Sequence, residues 1–193
     1  MLKKFVLGGM TALVLAACGG EGGSASSSAP AQSANASGSL IERINNKGTI
    51  TVGTEGTYAP FTYHDKDGKL TGYDVEVTRA VADKLGVKVE FKETQWDSMM
   101  AGLKAGRFDV VANQVGLTSP ERQATFDKSE PYSWSGAVLV ARKDSNIKSI
   151  DDIKGVKTAQ SLTSNYGEKA KAAGAELVPV DGLAQSLTLI EQK

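Results

Sequence analysis

The 193-residue chain predicts an α/β fold built mostly from parallel sheets. Three observations carry that reading. From residue 40 onward, short β-branched runs alternate with stretches of helical period. Several helical stretches stop at a glycine, namely Gly48, Gly86 and Gly174. The apolar run at 108–112 passes directly into a polar loop and a helix start, the order of a parallel α/β unit.

Taken in order, 40–46 is a short amphipathic helix, followed by a strand over 49–53 and a loop over 54–60. The runs 61–63 and 70–73 flank Asp67-Gly68, a strong hairpin signal. Asp74 is expected to cap a helix whose apolar face is Val77, Ala80, Val81 and Leu85. A strand over 87–91 and a helix over 97–104 lead to the strand over 108–112, which reads as buried on both faces. Thr118 with Glu121 three positions on forms a capping box, and Pro120 fits the first helical turn. Phe126, Pro131 and Tyr132 lead into a strand over 136–142. Then come a strand over 156–159, a helix over 164–173, a strand over 177–180 and a last helix lined by Leu183, Leu187 and Ile190.

Residues 1–17 have the pattern of a signal peptide: Lys3 and Lys4, an apolar run over 5–16, then small residues. That run is too short to span a membrane. Leu15-Ala16-Ala17-Cys18 resembles the lipobox of bacterial lipoproteins, which implies cleavage before Cys18 and lipidation of its sulfur. An ordinary signal peptide with an incidental cysteine is the alternative. Cys18 is the only cysteine, so no internal disulfide forms and the fold must stand on its core. Residues 18–39 are a lipidated cysteine and a Gly/Ser/Ala tether, reaching on the order of 25 Å as a random coil. Together they place the folded part in the periplasm or at the cell surface, membrane-anchored through acyl chains.

Basic and acidic residues number 22 each, and without Lys3 and Lys4 there are 20 against 22, a net charge of −2. No basic patch suggests nucleic acid. The polar stretch over 144–152 divides the remainder into lobe 1 (40–142), a nearly full set of units, and lobe 2 (143–193), only two units and a helix. The last helix reaches Lys193 without a cap or a returning strand, so lobe 2 reads as incomplete.

Chemistry concentrates at 109–122, D-V-V-A-N-Q-V-G-L-T-S-P-E-R. Open α/β sheets bind small ligands beyond the carboxyl ends of their strands, and a helix start there attracts an anion. Arg122 sits in that first turn, where the helix dipole disfavours a cation. It is either a bidentate partner for an incoming carboxylate or a surface arginine paired with Glu121 or Glu130.

The lipobox, V-G-T-E-G-T-Y-A-P-F (52–61), G-K-L-T-G-Y-D-V-E-V (68–77), W-D-S-M-M-A-G-L-K-A-G-R-F-D-V-V (96–111) and T-S-P-E-R (118–122) resemble the extracytoplasmic amino-acid-binding proteins of ABC importers, solute-binding protein family 3. The N-Q-V-G run resembles the cystine- or cysteine-binding branch. The resemblance implies a two-lobed periplasmic-binding-protein-like fold and a monomer that closes around one amino acid and hands it to a membrane permease, with no cofactor, metal or catalysis. It also implies site residues. Tyr58 falls at an aromatic against the ligand, Glu55 at an acidic position facing its ammonium, and Trp96 at an aromatic wall. Asn113, Gln114 and Gly116 fall in a ligand-contacting loop, and Thr118 and Arg122 at the pair holding the α-carboxylate. Ser119 lengthens the usual T-P-E-R spacing, so either Thr118 or Ser119 is the donor. In lobe 2, Gln160 and Thr163 fall in the second ligand loop, where Leu162 replaces a common glycine, and the family's ammonium-binding aspartate has no counterpart.

From the residues alone, Tyr58 and Trp96 fit a core role as well as a ligand platform, and Glu55 fits a plain loop. The rival class is a cleft enzyme of dehydratase or lytic transglycosylase type, with Glu55 as its acid–base group; a non-transport ligand sensor is a third. Against an enzyme, His64 is the only histidine and no paired carboxylates lie near the motif. Asp65-Lys66-Asp67-Gly68 resembles a calcium loop, but Tyr63 holds its first ligand position, so it reads as a hairpin turn.

Overall fold

The computed structural model describes residues 38–192. The expected signal peptide and Cys18 lie outside the described residues.

Helix α1 (Leu40–Lys47) opens on a capping box: Ser39 Oγ accepts from the Glu42 amide at 3.3 Å, and the Glu42 carboxylate accepts from the Ser39 amide at 2.7 Å. Ser39 thus belongs to the helix rather than to the tether. Strand β1 (Thr49–Thr54) follows. The small strands β2 (Thr57–Tyr58), β3 (Thr62–His64) and β4 (Leu70–Thr71) form an antiparallel sheet in that order. Its hairpin turn is closed by Asp65, whose Oδ1 accepts from the amides of Asp67 and Lys69, both at 2.9 Å.

Helix α2 (Tyr73–Leu85), strand β5 (Lys88–Glu93), helix α3 (Trp96–Lys104) and strand β6 (Val110–Val111) complete a parallel sheet of order β5-β1-β6. Ile44, Ile50, Val52 and Ala82 are the buried centre of the core, with Val89, Phe91 and Val110 packed against them. The backbones close in at Gly53, where a Cβ would meet the Phe108 ring at 2.7 Å. Helix α4 (Pro120–Thr125) precedes an irregular stretch and a 3₁₀ turn at Ile150–Ile153. Strand β7 (Lys157–Gln160), helix α5 (Asn165–Ala172) and strand β8 (Glu176–Pro179) then form a parallel βαβ unit. Helix α6 (Leu183–Gln192) packs against β2 and β7.

The alternation and the hairpin follow the sequence pattern. Four details depart from it. Asp74 does not cap α2: the cap position is Gly72, at φ 121°, where a Cβ would run into the Phe61 carbonyl. Asp74 lies one step inside the helix with its carboxylate turned inward. Thr78 and Ala82 share its phase at i+4 and i+8, so α2 buries Val75, Thr78 and Ala82 while Ala80, Val81 and Leu85 are exposed. The strand over 108–112 contracts to two residues, half-buried because β1 alone lies beside it. Ser119, not Thr118, caps α4, its hydroxyl accepting from the Arg122 amide at 3.3 Å. The strand over 136–142 does not form, and Val138 is 84% exposed. A strand exists through its ladder, and no described segment runs alongside this one to supply partners.

Candidate functional site

The carboxyl ends of β1 and β6 meet where Thr54 and Asn113 are buried. Asn113 Oδ1 accepts from the Glu55 amide at 2.8 Å, and Asn113 Nδ2 donates to Glu55 Oε2 at 2.6 Å. One side-chain amide thereby fixes both the backbone and the carboxylate of Glu55. Burial raises the Glu55 pKa above 4.5; the bond from Asn113 opposes that shift, and the charge of Asp97 adds to it.

Gln114 stands at φ 51°, a left-handed conformation unusual outside glycine. Asp74 holds it there, accepting from the Gln114 amide at 2.7 Å and from Nε2 at 2.6 Å. Ser133 Oγ donates to Gln114 Oε1 at 3.0 Å. Both ends of the Gln114 amide are therefore engaged within the protein, and its residue shapes the loop. Burial raises the Asp74 pKa above 3.8 against the lowering effect of the Gln114 bonds. The Tyr132 hydroxyl is pushed well up by burial and by Asp74.

Arg122 lies across the Trp96 ring, its guanidinium carbon 5.4 Å from the centroid. Nη1 donates to the Gly116 carbonyl at 3.0 Å and Nη2 to the Thr163 carbonyl at 2.7 Å. Neither Glu121 nor Glu130 pairs with it within ion-pair distance. The guanidinium has further N–H groups beyond these two bonds with which to meet a carboxylate. Trp96 contributes a buried Nε1 donor without a partner among the described residues, the kind of group that a polar ligand satisfies.

The second loop arrives from the βαβ unit. Asp97, next to Trp96, accepts from the amides of Leu162 (3.2 Å) and Thr163 (2.9 Å) and from Thr163 Oγ1 (2.8 Å). Gln160 ends β7 and is half-buried, its carbonyl accepting from the Val180 amide at 3.2 Å. Tyr58 is 5.2 Å from the Phe61 ring, centroid to centroid. Burial raises its pKa above 10.0, with the neighbouring Tyr166, Glu55 and Asp74 adding to the shift. Thr118 is exposed.

Two groups of candidates thus form. Trp96, Gly116, Arg122 and Thr163 are in mutual contact through Arg122, and Glu55 and Asn113 form the second group. Asp97 lies between them, bonded to Thr163 and acting electrostatically on Glu55. Glu55 also lines a cleft of about 530 Å³ with Thr57, Gln95, Asp181 and Gly182. Asp74, Asp97 and Asp181 were not legible as site residues from sequence. The one available signal was Asp97 in a first helical turn whose cap, Gln95, makes no side-chain bond.

A parallel sheet whose strand ends carry polar loops, faced by a second βαβ unit, is the architecture of periplasmic-binding-protein-like α/β folds. Residues 50–184 match the profile of the bacterial extracellular solute-binding proteins, family 3, and the chain belongs to that family. It is 62% identical over 156 residues to a probable amino-acid ABC transporter-binding protein of Haemophilus influenzae, covering 80% of this chain and 60% of that one. It is 60% identical over 157 residues to the L-cystine-binding protein TcyA of Bacillus subtilis, covering 80% and 58%. The chain thus spans about 60% of the length of these curated relatives. Among solved structures, the L-cystine solute receptor of Neisseria gonorrhoeae, unliganded and open, is 96% identical over 81% of this chain and 66% of its own, with a TM-score of 0.50. The ancestral amino-acid-binding protein AncCDT-1, a precursor of cyclohexadienyl dehydratase, is 35% identical over 80% and 70%, with a TM-score of 0.75.

Proposed function

We propose that this chain is the binding component of an amino-acid ABC importer, taking a polar amino acid, with cystine or cysteine the first candidates, and delivering it to a membrane permease. The observation that carries this reading is Arg122 stacked on Trp96 and bonded to a loop from each side of the site. Its remaining N–H groups would complete a charge-assisted pair with an α-carboxylate. Glu55, oriented by Asn113, would meet the ammonium, and Tyr58 and Trp96 would form apolar walls. A zwitterion leaves water only when both ends are met. The cystine-binding relatives support the choice of first candidate.

In this reading residues 40–142 and 143–193 contribute to two lobes that close on the solute, and ligand contacts favour the closed state. Residues 1–17 direct export, and lipid on Cys18 with the 18–39 tether keeps the protein beside its permease. Arg122→Ala is expected to weaken L-cystine binding by about 100-fold or more, since truncating one partner of such a pair costs about 3 kcal/mol. Isothermal titration calorimetry on the chain checks it, after a thermal-shift screen of the amino acids plus cystine. Near-normal affinity would remove Arg122 from the site.

A second reading, a cleft enzyme using Glu55 as acid, draws on its raised pKa and on AncCDT-1 being a dehydratase precursor. We favour binding because the Glu55 carboxylate is held by the Asn113 amide and the cystine- and amino-acid-binding relatives are named as binding proteins. The same chain incubated with a cyclohexadienyl substrate is expected to release no product.

A further inference from the structure

We propose that Asp97 is a clasp: a positioning residue that touches no solute and holds the 160–164 loop against the start of α3. The contact itself stands on geometry; only its consequence for solute release rests on the binding reading above.

Helix α3 has no side-chain cap at Gln95. An acidic residue in its first turn could serve the helix's own free N–H groups, to which the dipole attracts it. Instead the Asp97 carboxylate accepts three bonds from residues 65 and 66 positions away. Two are from consecutive backbone amides and one is from a hydroxyl. On the opposite side of the same residue, the Thr163 carbonyl accepts from Arg122 Nη2 at 2.7 Å. Thr163 is therefore gripped at its N–H and hydroxyl by an anion and at its C=O by a cation, with the polarity of each partner matched. The two gripping residues stand at the starts of α3 and α4, and the gripped loop joins β7 to α5.

The clasp is made to open. Asp97 and Thr163 are exposed, so water replaces each bond as it breaks and leaves no buried charge unpaired. Thr163 Oγ1 is engaged by Asp97, which gives this hydroxyl a positioning role rather than a ligand contact. Because the clasp forms between the two sides of the site, it stabilises the closed arrangement and acts on release more than on capture.

Amide hydrogen exchange by NMR on the ligand-free chain reads the contact directly. In Asp97→Ala the Leu162 and Thr163 amides are expected to exchange about tenfold faster or more, while the β7–β8 ladder amides keep their protection. Thr163→Val, which removes the hydroxyl alone, is expected to give a smaller change in the same direction, and the double variant no more than Asp97→Ala. Stopped-flow measurements with L-cystine as probe are expected to show release about tenfold faster and capture within about threefold. Unchanged exchange at 162 and 163 overturns the clasp whatever happens to binding. Faster exchange with unchanged release overturns its control of the solute. If the parent chain binds no L-cystine, the cystine assignment fails and the exchange data alone decide the clasp.

Discussion

Two aspartates each hold a distant loop of this protein, and they do so in opposite surroundings. Asp74 reaches 40 residues along the chain to Gln114, and Asp97 reaches 66 to Thr163. Asp74 is 1% exposed, and its partners come from the loop that follows the parallel sheet. Asp97 lies in water, and its partners come from the separate βαβ unit. A buried carboxylate with good donors fixes a conformation, because each donor it abandons would be left unsatisfied. An exposed one holds its conformation reversibly, because water is always a substitute. The contrast separates a permanent anchor from a reversible contact built from the same chemical group.

The sharpest way to break this comparison is to remove the buried anchor. Asp74→Ala leaves the amide and Nε2 of Gln114 without acceptors and frees a residue held at positive φ, and is expected to cost about 3 kcal/mol of stability. A urea midpoint hardly moved would show that Asp74 anchors nothing.

The pH dependence is the next largest effect, and its sign is unusual for a carboxylate. Burial raises the folded pKa of Asp74 above 3.8, so the folded chain holds this proton more tightly than the unfolded chain. Its contribution is greatest below the unfolded value and declines as pH rises through the folded one. Glu55 has the same sign from 4.5 upward. The stability gap between parent and Asp74→Ala is therefore expected to shrink from about pH 4 to pH 7. A gap that widens over that range would contradict the raised pKa.

The smallest effect belongs to the exposed partner. Asp97→Ala is expected to change global stability by less than about 1 kcal/mol, in keeping with surface contacts, even as it speeds exchange at residues 162 and 163. A loss equal to that of Asp74→Ala would erase the distinction between the two.

Much of the fold was legible residue by residue. Gly48 and Gly86 end their helices in the left-handed conformation, Pro120 opens α4 at its first turn, and Asp67-Gly68 lies in the β3–β4 turn. The resemblance named both Arg122 and Trp96 as site residues, and the structure brings the two side chains together. The buried face of α2 was not legible, because periodicity finds an apolar stripe but does not weigh an inward aspartate against it. The stretch over 136–142 has the composition of a strand, and composition does not supply a neighbour.

By itself, then, the sequence determined the alternation of strands and helices, the glycine stops and the hairpin turn, and the strand–loop–helix unit that carries Arg122. Those depend on interactions across a few residues, and a few residues are what local pattern records. Only the tertiary structure decided that Asp74 turns inward, that Gln114 serves the loop, that Ser119 takes the cap and that Asp97 grips Thr163. Each of these is a choice among hydrogen-bond partners, and for Asp74 and Asp97 the partner lies tens of residues away, so nothing near the residue itself reveals it.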